Sequence, residues 1–532
     1  MSTNPNGSSL FSAFTSGAND MSNPDTQIDK KLQQRQEQFS SEANFSQIKE
    51  NAISSDLTLG SDERAKMFRM RRIQAKLNIE SPISLKEKLT IPLQLYDECS
   101  KLEVLPNELQ LYMQHFASQD IAIKYKGIVG LRKLISAPTN PPIQEMIDYG
   151  LVGEFIALLD SQYPEFQYEA LFCLINIACG TTDQANSIIV RGGVSKIINL
   201  MGSRIEEIQD QAIWTLGNLA GDSEKVRDQI IQQGGYEKLI VIFSTAERPQ
   251  LIKRCTWTIG NFCRVKPPMP YELLKKSLDY LIKGINKLGN DQEFMTDACW
   301  ILSFLTENFK KSIKVIMETN ALPIVFECLK VNVVFIQLSC LRIIGNIASG
   351  NANQTQQLLD WGLLPYLKQT IIHPKKTIRK ETAWIISNIA AGTQRQIESL
   401  ITDNFLPILI EVIKKDEPEI RKEAIWAVCN LTSIEKKELM EQIIKQQIVE
   451  TIFSCLSFKE AKILAVSLEA LGNLLAFGKQ YYTVNGVNEI VKKAEELGMF
   501  EVLEQLEYHP VEIVYEKVIK LLETYFDVEN TA

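Results

Sequence analysis

At 532 residues the chain is too long for one ordinary core, because single domains run to roughly 100–200 residues; it holds either several domains or a repeat array. A hydrophobic share of 45% and a charged share of 23% are those of a folded chain, leaving little room for disorder. The formal net charge of -8 argues against general attraction to nucleic-acid phosphates and favours a cationic partner.

Residues 1–60, opening MSTNPNGSSLFSAF, are poor in large apolar side chains and dense in Ser, Asn, Gln and Asp. Such a segment cannot offset the entropy of its own ordering, so a disordered polar arm is predicted. Residues 61–84 begin SDERAKMFRMRRIQAKLNIE and read as a short basic helix carrying Arg64, Lys66, Arg69, Arg71, Arg72 and Lys76, followed by Pro82. The arm has no signal-peptide character, and no later stretch is read as approaching the roughly 20 apolar residues that span a bilayer. Ten cysteines occur without a C-x-x-C pair; Cys173, Cys255, Cys299 and Cys340 lie in apolar runs, where Cys acts as a small hydrophobe. A reducing compartment, cytoplasm or nucleus, is expected.

The rest of the chain repeats itself. EALFCLINIACG from Glu169, QAIWTLGNLAGD from Gln211, RCTWTIGNFCRV from Arg254, DACWILSFLTEN from Asp297, SCLRIIGNIASG from Ser339, ETAWIISNIAAG from Glu381, EAIWAVCNLTSI from Glu423 and EALGNLLAFG from Glu469 align on one another. The asparagine column reads Asn176, Asn218, Asn261, Phe304, Asn346, Asn388, Asn430 and Asn473, in steps of 42 or 43 residues. That period belongs to armadillo and HEAT units. Stretches such as IIVRGGVSKIINLM between the segments add a second amphipathic element and a glycine turn, so each unit reads as two or three helices. One unit cannot bury its apolar face alone, and stacking winds the array into a superhelix with a concave groove. The predicted fold is all-α: an armadillo-repeat superhelical solenoid of about ten repeats over residues 85–527, with caps near Lys124–Ser136 and in YHPVEIVYEKVIKLLETYFD, and a short tail at 528–532.

Within the repeated helix, an acidic or polar residue, an aromatic three positions on and an asparagine four beyond that fall on one face. Examples are Glu169, Phe172 and Asn176; Gln211, Trp214 and Asn218; Glu381, Trp384 and Asn388; Glu423, Trp426 and Asn430. Tryptophan in a helical protein is usually core, and an asparagine column can serve only to fix repeat stacking. Against that reading, five of the six tryptophans (Trp214, Trp257, Trp300, Trp384 and Trp426) stand in this column, while Trp361 lies in an inter-repeat loop. A row of carboxamides can bond the N–H and C=O groups of an extended peptide without reading its side chains. Slots between indoles accept the stems of Lys or Arg, each worth about 0.5–2 kcal/mol in cation–π attraction. Asp222, Glu169, Asp297, Glu381 and Glu423 are expected to select positive charge.

WTLGNLAGDS, WTIGNFCRVKPPMP, DACWILSFL and KETAWIISNIAAG resemble the repeats of the importin-α (karyopherin-α) family, adaptors for nuclear localisation signals. The resemblance spans roughly residues 85–527 and includes an R-x-K-P-P element at Arg264, Lys266, Pro267 and Pro268. It implies a major peptide site at Phe172, Asn176, Gly180, Gln211, Trp214, Asn218, Asp222, Trp257 and Asn261, with Asp222 and the Gly180 carbonyl taking a pivotal lysine. It implies a minor site at Asn346, Glu381, Trp384, Asn388, Glu423, Trp426 and Asn430, with Arg342 replacing the aromatic and dividing the two sites. As partners it implies cargo proteins with basic signals, importin-β through the basic segment at 61–84, and an export receptor of the CAS type. It also implies shuttling between cytoplasm and nucleus.

The chain departs from the family pattern at several positions. Phe172 stands for a tryptophan, Ala185 for a threonine beside the pivotal lysine, and Asn351 for an acid. The basic segment is shorter than the family's, and the acidic run after the last repeat shrinks to Asp527 and Glu529. A sparse basic segment leaves a second reading, an armadillo scaffold or chaperone for basic proteins without importin-β-dependent transport. An enzyme is not expected: His115, His373 and His509 are far apart, no glycine-rich phosphate loop or metal-ligand spacing occurs, and no cofactor is implied.

Overall fold

The computed structural model describes residues 83–319 and 321–526. The arm predicted at 1–60, the six basic residues from Arg64 to Lys76, and the tail from Asp527 lie outside the described residues. The described chain is almost wholly helical, with one two-residue hairpin at Thr483–Val484 and Val487–Asn488. It forms two compact units divided after Ile343.

Ten helices carry the repeated segments or their end caps. They are α1 (Ile121–Ile135), α2 (Pro164–Ala178), α3 (Glu206–Ala220), α4 (Pro249–Arg264), α5 (Gln292–Asn308), α6 (Val334–Ala348), α7 (Lys376–Ala390), α8 (Pro418–Leu431), α9 (Ala461–Tyr481) and α10 (Glu512–Tyr525). Proline at the first turn of α2, α4 and α8 starts the helix where its missing N–H costs nothing. Ahead of each ladder helix most repeats place two short helices, such as Thr182–Ile189 and Gly193–Leu200 before α3.

The bend between the short helices needs a left-handed residue. Gly192 and Gly234, 42 positions apart, adopt φ of 74° and 76°; at the same place in later repeats Asn404 and Gln447 adopt 57° and 62°. The repeat that follows the Pro-Pro element departs from this plan. No turn glycine interrupts YELLKKSLDYLIKGINKL, and its apolar residues at helical spacing give one 18-residue helix, Tyr271–Leu288.

Each ladder helix presents small and branched apolar residues to its neighbours. In α3, Ala212, Ile213, Leu216 and Leu219 are fully buried; in α8, Ala424, Ile425, Val428 and Leu431 are. Fully burying one such side chain contributes about 1.5–3 kcal/mol, so the core is continuous from repeat to repeat within each unit. α9 corrects the membrane reading in one respect: by length and composition it is long and apolar enough to cross a bilayer. It is a core helix all the same, with Ile463, Leu471, Leu474 and Leu475 fully buried and α8 and α10 packed against it.

Candidate peptide-binding ladders

In the unit ending at Ile343, α2, α3 and α4 lie side by side, which brings Phe172, Trp214 and Trp257 into one series. Glycine makes the close stacking possible. A Cβ on Gly217 would come within 2.6 Å of the Trp257 ring, and one on Gly260 within 3.7 Å of Trp300; in the other unit a Cβ on Gly345 would come within 2.1 Å of Trp384. Trp257 and Trp384 therefore rest on the glycine just before the asparagine of the preceding ladder helix, and Trp300 lies at ordinary contact distance from the equivalent Gly260, whereas Ile175 and Ser387 hold that place ahead of Trp214 and Trp426. The recurring Gly-Asn pair carried this signal, which the sequence reading passed over.

The rings are more buried than an open groove would leave them: Trp214 and Trp300 are each 7% exposed and Trp384 is 1% exposed, whereas Trp257 and Trp426 are half-buried. The carboxamides decide what the ladder can still do. Asn176 has its donors spent, Nδ2 donating to Ser136 Oγ at 3.2 Å and to the Phe172 carbonyl at 2.9 Å. Asn261 donates to the Trp257 carbonyl at 3.3 Å, and Asn473 to Thr432 Oγ1 at 3.1 Å. By contrast, Asn218 Nδ2, Gln211 Oε1 and both polar atoms of Asn388 are buried without a partner. Leaving a buried amide atom unbonded costs about 1–3 kcal/mol, and such atoms are rare where no ligand is expected.

The acidic column divides in the same way. Glu169 is not available to a ligand, because it forms a buried ion pair with Arg132. Burial pushes the Glu169 carboxyl above its ordinary range while the Arg132 charge opposes that shift. The same guanidinium lies 5.6 Å from the centre of the Phe172 ring, so that slot already holds a cation of the chain. At Trp214 the Arg254 guanidinium stacks at 4.1 Å and pairs with Asp210 at 3.1 Å. Glu381 and Glu423 are also buried, and Glu423 Oε2 lies 3.0 Å from the Ser387 hydroxyl.

Asp222 is different. It is half-buried, accepts a hydrogen bond from the Thr182 hydroxyl at 3.0 Å on one oxygen, and has no partner on Oδ2. Gly180 is exposed at the mouth of the same corner, where the Thr181–Gln184 capping box shapes the turn. Ala185 is fully buried. The hydroxyl nearest the carboxylate thus comes from Thr182, which sequence reading did not single out.

The rest of the series fills in around these groups. Phe304, in the asparagine column, stacks on Trp300 with ring centres 6.0 Å apart. Arg342 and Asn346 on α6 are 2% and 3% exposed; Trp426 and Asn430 on α8 are half-buried. The Pro-Pro element acts as a strap: Arg264 donates to the Gly221 carbonyl at 3.0 Å, and Arg227, 2% exposed, donates to the carbonyls of Val265 and Pro267.

Comparison with known proteins agrees with this architecture. The Armadillo/beta-catenin-like repeat family matches residues 181–221 and 393–433. Importin subunit alpha-1b of Oryza sativa subsp. japonica is 35% identical over 80% of this chain and 79% of its own length. Importin subunit alpha-B of Dictyostelium discoideum is 39% identical over 81% of this chain and 83% of its own. The chain belongs to the importin-α family. A crystal structure of an engineered protein superposes with a TM-score of 0.65 over 78% of this chain and 98% of that one at 23% identity, which supports the solenoid fold alone. Importin-α proteins are transport adaptors rather than enzymes, and membership implies a role in nuclear import.

Proposed function

We propose that this importin-α holds Lys/Arg-rich nuclear localisation signals as extended strands along its ladders. The support is the set of buried carboxamide atoms without partners, Asn218 Nδ2 and both polar atoms of Asn388. Because Asn218 and Asn388 are 7% and 0% exposed, their side chains must turn outward to meet the complementary N–H and C=O groups that a peptide backbone supplies. In the major site, Asp222 Oδ2 takes the ammonium of a pivotal lysine with the Gly180 carbonyl beside it, and Trp257 offers a ring face to a neighbouring stem. The minor site uses Asn346, Trp384, Asn388, Trp426 and Asn430, and a signal with two basic clusters engages both.

In the same proposal the adaptor links its bound cargo to importin-β through Arg64, Lys66, Arg69, Arg71, Arg72 and Lys76, shuttles between cytoplasm and nucleus, and returns, emptied, with an export receptor of the CAS type. The test is calorimetric titration of the full chain with a short lysine-rich peptide at low and moderate salt, beside the Asn218→Ala/Asn388→Ala double variant. Binding that weakens with salt and falls in the double variant is expected. A wild-type chain that takes up no peptide at low salt would overturn the proposal. A chain that binds peptide but fails to retain importin-β in a pull-down would instead be a scaffold for basic proteins.

A further inference from the structure

The cysteines carry the expectation of scattered hydrophobes, and all but Cys179 are buried. Three of the buried ones are not scattered. Cys299 on α5, Cys328 at the end of the helix Ala321–Cys328 and Cys340 on α6 come from separate elements of the same unit, and their sulfurs lie within 4.8 Å of one another. Cys299 and Cys340 are fully buried and Cys328 is 4% exposed. The Cys340 and Cys299 sulfurs stand 3.7 Å apart. Two sulfurs each about 2.3 Å from one ion at the 120° angle of a three-coordinate site stand roughly 4.0 Å apart, so a shift of a few tenths of an ångström spaces the pair for joint ligation. No signature announced the cluster, because its members are 29 and 12 residues apart along the chain.

We infer that Cys299, Cys328 and Cys340 form a buried three-sulfur site for a soft monovalent cation, Cu(I). The donor set makes the choice. Structural Zn(II) sites are almost always closed by four ligands, whereas among the described residues the group contains three sulfurs and no imidazole or carboxylate. Thiolate-only sites select soft ions such as Cu(I) over hard ones. Uptake replaces S–H by S–Cu bonds, sends the displaced protons to solvent and leaves the copper oxidation state unchanged. The ion ties α5, which carries Trp300, to α6, which carries Arg342, and stabilises that part of the unit by mass action.

The experiment titrates Cu(I) anaerobically into the reduced full chain against bathocuproine disulfonate, with the C299A/C328A/C340A variant and a C179S control. A single ion retained by the wild type and by C179S, a sulfur-only shell of three in X-ray absorption, and a rise in Tm absent from the triple variant are expected. Loss of all copper to the chelator overturns the inference, as does retention by the triple variant or a shell containing nitrogen or oxygen. The absorption spectrum of the wild type decides the matter even if the triple variant fails to fold.

Discussion

The two ladders apply one sequence pattern to different chemical ends. In the unit ending at Ile343, arginines of the chain itself occupy the first slots: Arg132 lies over Phe172 and Arg254 over Trp214, each tied to a carboxylate by an ion pair. In the unit that follows, the column helix α7 has Trp384 resting on Gly345 and Asn388 with neither polar atom bonded. In the proposed binding mode, recognition of charge falls on Asp222 in the first ladder, and recognition of backbone on Asn388 in the second. Matching a motif position says where a side chain points, but its remaining valences depend on what else the fold has placed beside it.

The largest effect that tests this contrast is on stability. Glu169→Gln leaves the Arg132 guanidinium buried without its counter-charge, a change that costs about 3–5 kcal/mol in comparable pairs. Thermal unfolding followed by circular dichroism should show a clear loss, while affinity for a lysine peptide in the surviving folded protein changes little. A Glu169→Gln protein as stable as wild type but weakened in binding would return Glu169 to the group of charge selectors.

Next in size is Asp222→Lys. It removes a charge-assisted hydrogen bond worth about 1.5–3 kcal/mol and places a like charge beside the incoming ammonium. At about 1.4 kcal/mol per tenfold, the expected loss of affinity for a short lysine-rich peptide is about 100-fold or more. Equal affinity of the two proteins in calorimetry at moderate salt would remove Asp222 from the site.

These two residues mark how far sequence reading reaches. The 42-residue asparagine period and the tryptophan column were legible, and so was the armadillo solenoid, because a repeated helix face needs only local spacing. Glu169 and Asp222 carry the same expectation of selecting positive charge; their fates differ because Arg132 and Thr182, 37 and 40 residues away, face one of them apiece. Such cross-repeat partners have no spacing signature. Gly217, Gly260 and Gly345 did have one in the repeated Gly-Asn pair, and the sulfur cluster had none.

The state of the amides gives a finer test. Asn388→Ala removes two buried unbonded atoms, so the free protein should lose no stability and should gain up to about 1 kcal/mol, although the void left behind offsets part of the gain. Its affinity for peptide should fall about tenfold, the worth of a pair of backbone hydrogen bonds. Asn176→Ala should behave in the opposite way, losing about 1 kcal/mol of stability with its bonds to Ser136 and Phe172 and changing affinity only a few-fold. Melting curves and titrations of both variants provide the check. Two equally destabilised proteins would mean that the Asn388 amide serves packing no less than that of Asn176.

The smallest expected effect concerns the cation already seated at Trp214. Arg254→Ala frees one face of the indole that the guanidinium now covers at 4.1 Å and removes a positive charge from the path of a basic peptide. Against this, Asp210 loses its partner, which at 16% exposure stays close enough to solvent to be hydrated. A stacked cation contributes about 0.5–2 kcal/mol, and with Trp214 only 7% exposed a peptide side chain reaching the vacated place recovers only the lower part of that range, about 1 kcal/mol or less. Affinity should therefore rise by no more than about fivefold, most visibly at low salt, where charges at the surface are least screened. A fall in affinity would show that Arg254 holds the Trp214 ring in its binding pose, and the first ladder would then depend on its internal arginines in a way that the second, with Asn388 unspent, does not.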